Sequence, residues 1–507
     1  MKDKLNLIDK IKWIPPLFLI FVTLWLRLVN LGYSDYQGDE IKALWRPAPG
    51  QSGLDFLYIQ KKGPTQFLVT YLVKFINPTY SNEFLLRLPF TLAGILGIYF
   101  FYRLVEMHFG KKIALYATLL LSINGIFVGL MRIVQYQPFV ILFSVLALYC
   151  FSLAWQQEGW EFRGIPLGVA FWTVALFSHY DAIFIAPFAF YLLYRWYTQN
   201  DDLPVKARLK HLIIPFAISV LVLAIYFVPY LLTLPNNIKD YWTERITGEG
   251  GTDKRLRSSL INFELYNPLL ATYIYGFFGL LSLPKLKQNF PIVLWFALPW
   301  VVLELAVFDP GTHIYTYIMP AIILIAFGLE VLEGVFVKIL GAVWGVRLII
   351  LWLALLFGSL AAISHLIFVD HTPEYPYEKR GILFWTIGGV DNVKESKLWN
   401  FGFPYYRRWE DIREFVSTTE NTGYYATNEN VSISVYYVPY TYFVERAGHY
   451  IYIHNPQSFK SWDGRDKIHY WRVNHKPVKV FEYDGRVVAE VYYMPPGSLE
   501  EIKREGY

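Results

Sequence analysis

Gly38-Asp39-Glu40 places two adjacent carboxylates just beyond the first apolar segment of the chain. A partly desolvated carboxylate can serve as a general base for a hydroxyl. The ordinary alternative is a solvated loop or a charge at a helix N-terminus. Lys61-Lys62-Gly63-Pro64 follows, a pair of cations on a Gly-Pro turn, suited either to clamping an anionic group or to snorkelling at an interface. Arg132, with Gln135, Tyr136 and Gln137, caps a short turn between apolar segments. Such an Arg either pairs with Asp39 or Glu40 or contacts a substrate.

Two further clusters sit at segment ends. His179-Tyr180-Asp181 reads as a hydrogen-bonded cap or as part of a binding site. Asp309, His313, Tyr315 and Tyr317 gather at a later mouth, where tyrosines also fit an aromatic belt. Asp39, Glu40, Asp181 and Asp309, with His179 and His313, could together hold a divalent cation through oxygen and nitrogen ligands. The glycine-rich, then basic run Gly248–Arg257 reads as a mobile loop able to close over an anion, and Asn430-Val-Ser432 as a glycosylation triplet.

The elements that must position these residues are membrane helices. Of 507 residues, 55% are hydrophobic and 19% aromatic. Eleven apolar segments approach the ~20 residues needed to span hydrocarbon: 13–31, 84–106, 112–131, 136–155, 164–178, 181–197, 211–233, 266–283, 290–308, 314–336 and 346–369. Lys2, Lys4, Lys10, Lys12, Lys111, Lys112, Arg163, Lys206, Arg208, Lys210, Lys285, Lys287, Lys338 and Arg347 all fall on one side under this scheme. The positive-inside rule makes that side cytoplasmic. Every cluster described above then lies on the opposite face. The net charge of +5 gives no reason to expect nucleic acid, and the single cysteine, Cys150, excludes an internal disulfide.

The fold class expected is therefore a polytopic α-helical membrane protein of about eleven transmembrane helices, residues 1–369, with an outer first loop at 32–83. Within that loop, the apolar stretch 64–77 is too short to span and is expected in the interface or against the bundle. Residues 370–507 read as an extracytoplasmic α/β domain. Trp409, Ile412, Phe415 and Val416 form a helical stripe, Tyr424 opens a strand, and Asp484-Gly485 joins two strands as a hairpin.

Taken in order, these motifs resemble the GT-C membrane glycosyltransferases, most nearly the glycosyltransferase family 39-like group of dolichyl-phosphate-mannose protein mannosyltransferases and aminoarabinose transferases. Gly38-Asp39-Glu40, Lys61-Lys62-Gly63-Pro64, Arg87-Leu-Pro89, Arg132-Ile-Val-Gln-Tyr136, Ser178-His-Tyr-Asp181 and His313-Ile-Tyr-Thr-Tyr317 carry the likeness, which covers segments one to ten. The resemblance implies sugar transfer from a polyprenyl-phosphate carrier outside the cytoplasm, usually with inversion. It implies Asp39 as base and Lys61 or Lys62 on the donor phosphate. Many members have two prolines where this chain has Gly63-Pro64.

The residues agree with that implication. No Rossmann glycine fingerprint or P-loop is present to bind a nucleotide sugar. A lipid phosphate leaving group needs cations, for which Lys62 and Arg132 are the candidates. Glu40 would orient the acceptor or pair with an Arg, and Gln135, Tyr136, His179, Asp181, His313, Tyr315 and Tyr317 would line the substrate site. The expected partners are a polyprenyl-phosphate sugar, membrane lipid, and a glycan, lipid or protein acceptor, at the cell membrane with the N-terminus cytoplasmic. A lipid-linked sugar flippase is the rival, but its ionisable residues would sit mid-span and internal repeats would be expected. An oligosaccharyltransferase would carry Trp-Trp-Asp where this chain offers only Ser461-Trp-Asp463, and a catalytically inactive scaffold is the third reading.

Overall fold

The computed structural model describes residues 14–201, 203–248, 263–382, 385–389, 401–420, 422–457 and 471–504. Lys2, Lys4, Lys10, Lys12, the Gly248–Arg257 loop beyond Gly248, and Ser461-Trp-Asp463 lie outside the described residues.

Each apolar segment read from the sequence falls on helix. Two of the helices carry two segments apiece: Glu83–Ile123 breaks at Gly110 (φ 80°) and Tyr315–Phe368 breaks at Gly341 (φ 77°). Both glycines occupy the left-handed region, where other L-residues are strained. Among the described residues, Glu83–Ile123, Gln137–Gln156, Val205–Thr233 and Gly311–Phe368 are long and apolar enough to cross a membrane. Ile14–Leu28, Gly164–Ser178 and Phe290–Ala306 are shorter apolar helices. Val205–Thr233 leaves Ile213, Ile225 and Leu232 exposed, which suits hydrocarbon rather than water.

At one end of the bundle, Lys112 and Lys285 both pair with Glu330. The residues singled out for chemistry gather elsewhere, around the first loop. Within that loop Thr65–Val73 is a short helix that buries Phe67, Thr70 and Val73 while exposing Leu68 and Leu72. Phe75 and Ile76, just beyond, are also exposed. An apolar outer face of this kind suits the membrane interface.

The C-terminal region carries a five-stranded sheet ordered Thr441–Tyr442, Tyr424–Thr427, His449–Ile453, Arg486–Tyr493, Lys479–Tyr483. The first three strands run parallel and the last three antiparallel. The hairpin turns at Asp484 (φ 49°) and Gly485 (φ 73°), both left-handed as a type I′ turn requires. The helix Trp409–Thr418 buries Trp409, Ile412 and Val416 against the sheet. One hydrophobic core joins these residues to Tyr36, Leu44, Val73, Phe90 and Phe139, so the sheet packs on the first loop and its neighbouring helices.

Candidate active site

Arg87, one turn into the helix that begins at Glu83, organises the loop. Its five donors are all used: Nε and Nη2 reach the two carboxylate oxygens of Glu40 at 2.8 and 2.9 Å. Nη1 holds the carbonyls of Leu31 (3.0 Å) and Ser34 (2.9 Å), and Nη2 also holds that of Asp35 (3.0 Å). Glu40 additionally accepts from the Gln37 and Val134 amides at 2.9 and 3.0 Å. Gln37 returns the favour to the short helix Gly38–Ile41 by accepting from the Asp39 amide, which completes a capping box. Asp39 is thereby fixed with its side chain pointing out of the scaffold, about a quarter exposed at 27%.

The C-terminal domain closes on the same loop. The Tyr36 amide donates to the Tyr437 hydroxyl (3.0 Å), the Arg407 amide to Asp35 (2.6 Å), and the Gly38 amide to Gln457 (3.3 Å).

Lys62 faces Asp39, Nζ to Oδ2 at 3.8 Å, and donates to Gln135 Oε1 at 2.7 Å. Gly63 makes this approach possible. A Cβ there would lie 2.1 Å from the carbonyl oxygen of Phe177, so only glycine lets the turn press against the end of Gly164–Ser178. Burial pushes the Asp39 carboxyl up, but Lys62 and Lys42 outweigh it and hold the group below the usual carboxylate range. Burial pushes Lys62 below the usual lysine range, with Asp39 opposing. The result is a carboxylate and a lysine amine facing one another at the loop's edge.

Behind Lys62 lies a second cluster. The Tyr136 ring sits 5.5 Å from Lys62 Nζ and stacks on His179 with centroids 3.9 Å apart. Asp181 stands between two imidazoles: His179 Nδ1 is 3.1 Å from Oδ1 and His313 Nδ1 is 2.8 Å from Oδ2. The Tyr315 hydroxyl donates to Oδ2 at 2.9 Å. Burial pushes His179 down to about 4 against the pull of Asp181, so the ring is neutral at pH 7.

Comparison with known proteins bears on the fold. Residues 63–232 match the family described as dolichyl-phosphate-mannose-protein mannosyltransferase. The apo crystal structure of ArnT from Cupriavidus metallidurans superposes with a TM-score of 0.53 at 13% identity, over 95% of this chain and 98% of that one. The chain has the GT-C glycosyltransferase fold. The same ArnT bound to undecaprenyl phosphate gives 0.49 at 14% identity, over 94% and 96% of the two chains. The oligosaccharyltransferase AglB from Archaeoglobus fulgidus, in complex with an inhibitory peptide and a dolichol-phosphate, gives 0.46 at 12% identity, over 69% and 54%. No curated protein matches the chain.

Within this GT-C fold, Asp39, Lys62, Gln135, Tyr136, His179, Asp181, His313 and Tyr315 form one connected set. The structure sorts the remaining expectations. Of the two alternatives for Glu40, the structure shows the arginine pair: the group is fully buried, its oxygens are taken by Arg87 and two backbone amides, and it positions the loop. Arg132 neither contacts the Asp39 edge nor pairs with a carboxylate. Its guanidinium caps the first helix through the carbonyls of Leu26, Val29 and Asn30 at 2.8, 2.9 and 3.2 Å. Lys61 is exposed and lies over the Tyr241 ring at 3.6 Å, so of the two adjacent lysines it is Lys62 that faces Asp39, which Lys42 also meets at 3.4 Å. Tyr317 donates to Glu304 at 2.6 Å, away from Asp181.

Asp309 is likewise outside the histidine cluster, its carbonyl held by Arg245 at 2.9 and 3.1 Å. That arginine is a cation near the site that sequence reasoning misses. It lies close enough to bear on the charge of both Asp39 and Lys62 and packs against Gly311 (φ 53°), where a Cβ would come within 2.4 Å of Nη2.

Proposed function

We propose that this chain transfers a sugar from a polyprenyl-phosphate carrier to an acceptor hydroxyl at the outer face of the cell membrane. The observation that carries the reading is the Asp39–Lys62 pair, a base and a phosphate-binding cation in contact at the edge of an interfacial loop. The family matched over residues 63–232, whose described donor is a dolichyl-phosphate sugar, supports it.

In this mechanism the sugar enters between the two side chains, whose long 3.8 Å contact opens to admit it. Asp39 takes the proton of the acceptor hydroxyl as that oxygen bonds to the anomeric carbon. The bond from the anomeric carbon to the phosphate oxygen breaks on the opposite face, with inversion, and its electron pair leaves on polyprenyl phosphate. Lys62, with Arg245 behind it, stabilises the developing charge. The lipid tail runs along the exposed apolar face of Thr65–Val73.

The test is transfer from radiolabelled polyprenyl-phosphate sugars by the purified full chain in nanodiscs, comparing wild type with Asp39→Asn. Loss of a general base costs roughly 10²–10⁴-fold, and donor binding should survive it. Equal transfer by Asp39→Asn would refute the assigned base. Movement of intact lipid-linked sugar between leaflets without cleavage would replace the transferase reading with a flippase.

A further inference from the structure

We infer, on the basis of the transfer reaction proposed above, that the side-chain amides of Gln66, Gln135 and Gln137 hold the hydroxyl groups of the donor sugar, and that this sugar is uncharged. All three glutamines are buried, at 0%, 2% and 2% exposure. Among the described residues, both polar atoms of Gln66, Nε2 of Gln135 and Oε1 of Gln137 have no hydrogen-bond partner. A buried polar atom without a partner costs free energy, which a ligand bringing its own donors and acceptors removes. Gln135 is tied to the site by the other end of its amide. Its Oε1 accepts from Lys62 Nζ at 2.7 Å, so the unpaired Nε2 lies next to the phosphate-binding amine. Gln137 opens the helix Gln137–Gln156, and its Nε2 donates to Thr312 Oγ1 at 3.3 Å, beside His313. Gln66 follows Lys62 by four residues, on the face of Thr65–Val73 that also carries Val69 and Val73. Those two valines share a core with Val134 and Phe139, the residues that bracket Gln135 and Gln137 in the chain.

The donor sugar hangs on the phosphate that Lys62 holds, so amides beside Lys62 meet the donor rather than the acceptor. A hydroxyl both donates and accepts, and an amide offers both an N–H and a carbonyl oxygen to match it. Gln135 Nε2 donates to a sugar oxygen, Gln137 Oε1 accepts a hydroxyl proton, and Gln66 does either. Charge is what the surroundings do not provide for. An ammonium group on the sugar would need a carboxylate and a uronic acid would need a cation. The neighbouring carboxylates are committed, Glu40 to Arg87, Asp181 to His179 and His313, and Asp39 to Lys42 and Lys62. A site that hydrogen-bonds hydroxyls through buried amides discriminates strongly against a sugar that leaves those amides unpaired.

The test measures binding and needs no turnover. Full-length protein in nanodiscs is titrated calorimetrically with polyprenyl phosphate and with its glucosyl, mannosyl, galactosyl and glucosaminyl esters. At least one hexosyl lipid should bind roughly 10–100-fold tighter than the bare phosphate, and the glucosaminyl lipid should not. Gln66→Met and Gln137→Met should each remove most of that gain while the bare phosphate binds as before, which also shows that they are folded. Gln156→Met, the same change at the far end of the helix where the amide meets His108 Nδ1 at 3.2 Å, should alter neither affinity. The isosteric Gln137→Glu provides a second reading where a Met variant does not fold. It puts a carboxylate where a hydroxyl is held and should raise the glucosaminyl lipid relative to the hexosyl ones. A hexosyl gain that survives in the folded Met variants, with no shift in Gln137→Glu, overturns the glutamine assignment. A glucosaminyl lipid bound as tightly as the best hexosyl lipid overturns the uncharged sugar. Wild type that binds bare phosphate and every ester alike overturns the subsite and leaves the transfer reaction standing. Wild type that binds none of the lipids overturns the transfer reaction and the subsite together.

Discussion

Arg87 and Glu40 form a two-pronged ion pair from which water is excluded, Nε to Oε1 at 2.8 Å and Nη2 to Oε2 at 2.9 Å, with side-chain exposures of 4% and 0%. Every other donor and acceptor of the two groups is spent on the backbone of residues 31–37 and on Val134. Removing one partner strands the other charge in the interior, which costs about 3–5 kcal/mol. Arg87→Met and Glu40→Gln should each lower unfolding stability by that order in detergent, and the double variant should lose less than the sum. Additive losses would mean the pair is not coupled.

Gly63→Ala tests how Lys62 is placed. The new methyl group meets the Phe177 carbonyl oxygen at 2.1 Å, so the turn must back away and carry the lysine with it. A displacement of about 1 Å at a reacting group costs on the order of 100-fold in rate. Transfer should fall by that order while thermal stability falls far less. The control is Gly110→Ala, which meets nothing within 4 Å yet is strained at φ 80°, and which should affect stability rather than transfer.

The two adjacent lysines should behave differently. Lys62 contacts Asp39 and Gln135, whereas Lys61 rests on Tyr241. A charge-assisted contact contributes about 1.5–3 kcal/mol, so Lys62→Met should weaken polyprenyl-phosphate binding roughly 10–100-fold. Lys61→Met should stay within a factor of a few. Isothermal titration of nanodisc-embedded protein with the phosphate separates them, and equal losses would put the anion on both.

Acid pH should silence the base late. Lys62 and Lys42 hold the Asp39 carboxyl below its ordinary value in spite of burial. A depressed folded-state pKa contributes stability that is complete above the unfolded value, near 3.9 for aspartate. That contribution is lost as pH falls through the folded value. The acid limb of the transfer rate should therefore lie below about 4 and move upward in Lys62→Met. An acid limb unchanged by the substitution would show that another group controls it.

Much of this is legible in the sequence for physical reasons. Helix placement follows from apolar length, the hairpin from Asp484-Gly485, and the Asp39 edge from charge concentrated beside an apolar run. Arg132 is misread because an arginine at a segment end carries the same signal whether it caps helix carbonyls or holds phosphate. Tyr315 and Tyr317 look alike, yet two helical residues apart they face opposite sides, one to Asp181 and one to Glu304. Arg245 is hidden among the ordinary charges of Asn236–Thr247, because only the return of residues 308–309 alongside it brings it to the site.

The hydrogen bonds from the sheet domain to the first loop have a consequence for biosynthesis. Tyr36 and Tyr437 are 401 residues apart in the chain, and Asp35 and Arg407 are 372 apart. At 5–20 residues per second, a ribosome needs roughly 20–80 s to deliver the second half of each bond after the first. The loop bearing Asp39 thus enters the translocon long before its brace exists. Until the sheet is made, residues 35 and 36 lack the hydrogen bonds that Arg407 and Tyr437 give them, so this part of the first loop is braced from outside only after both regions exist.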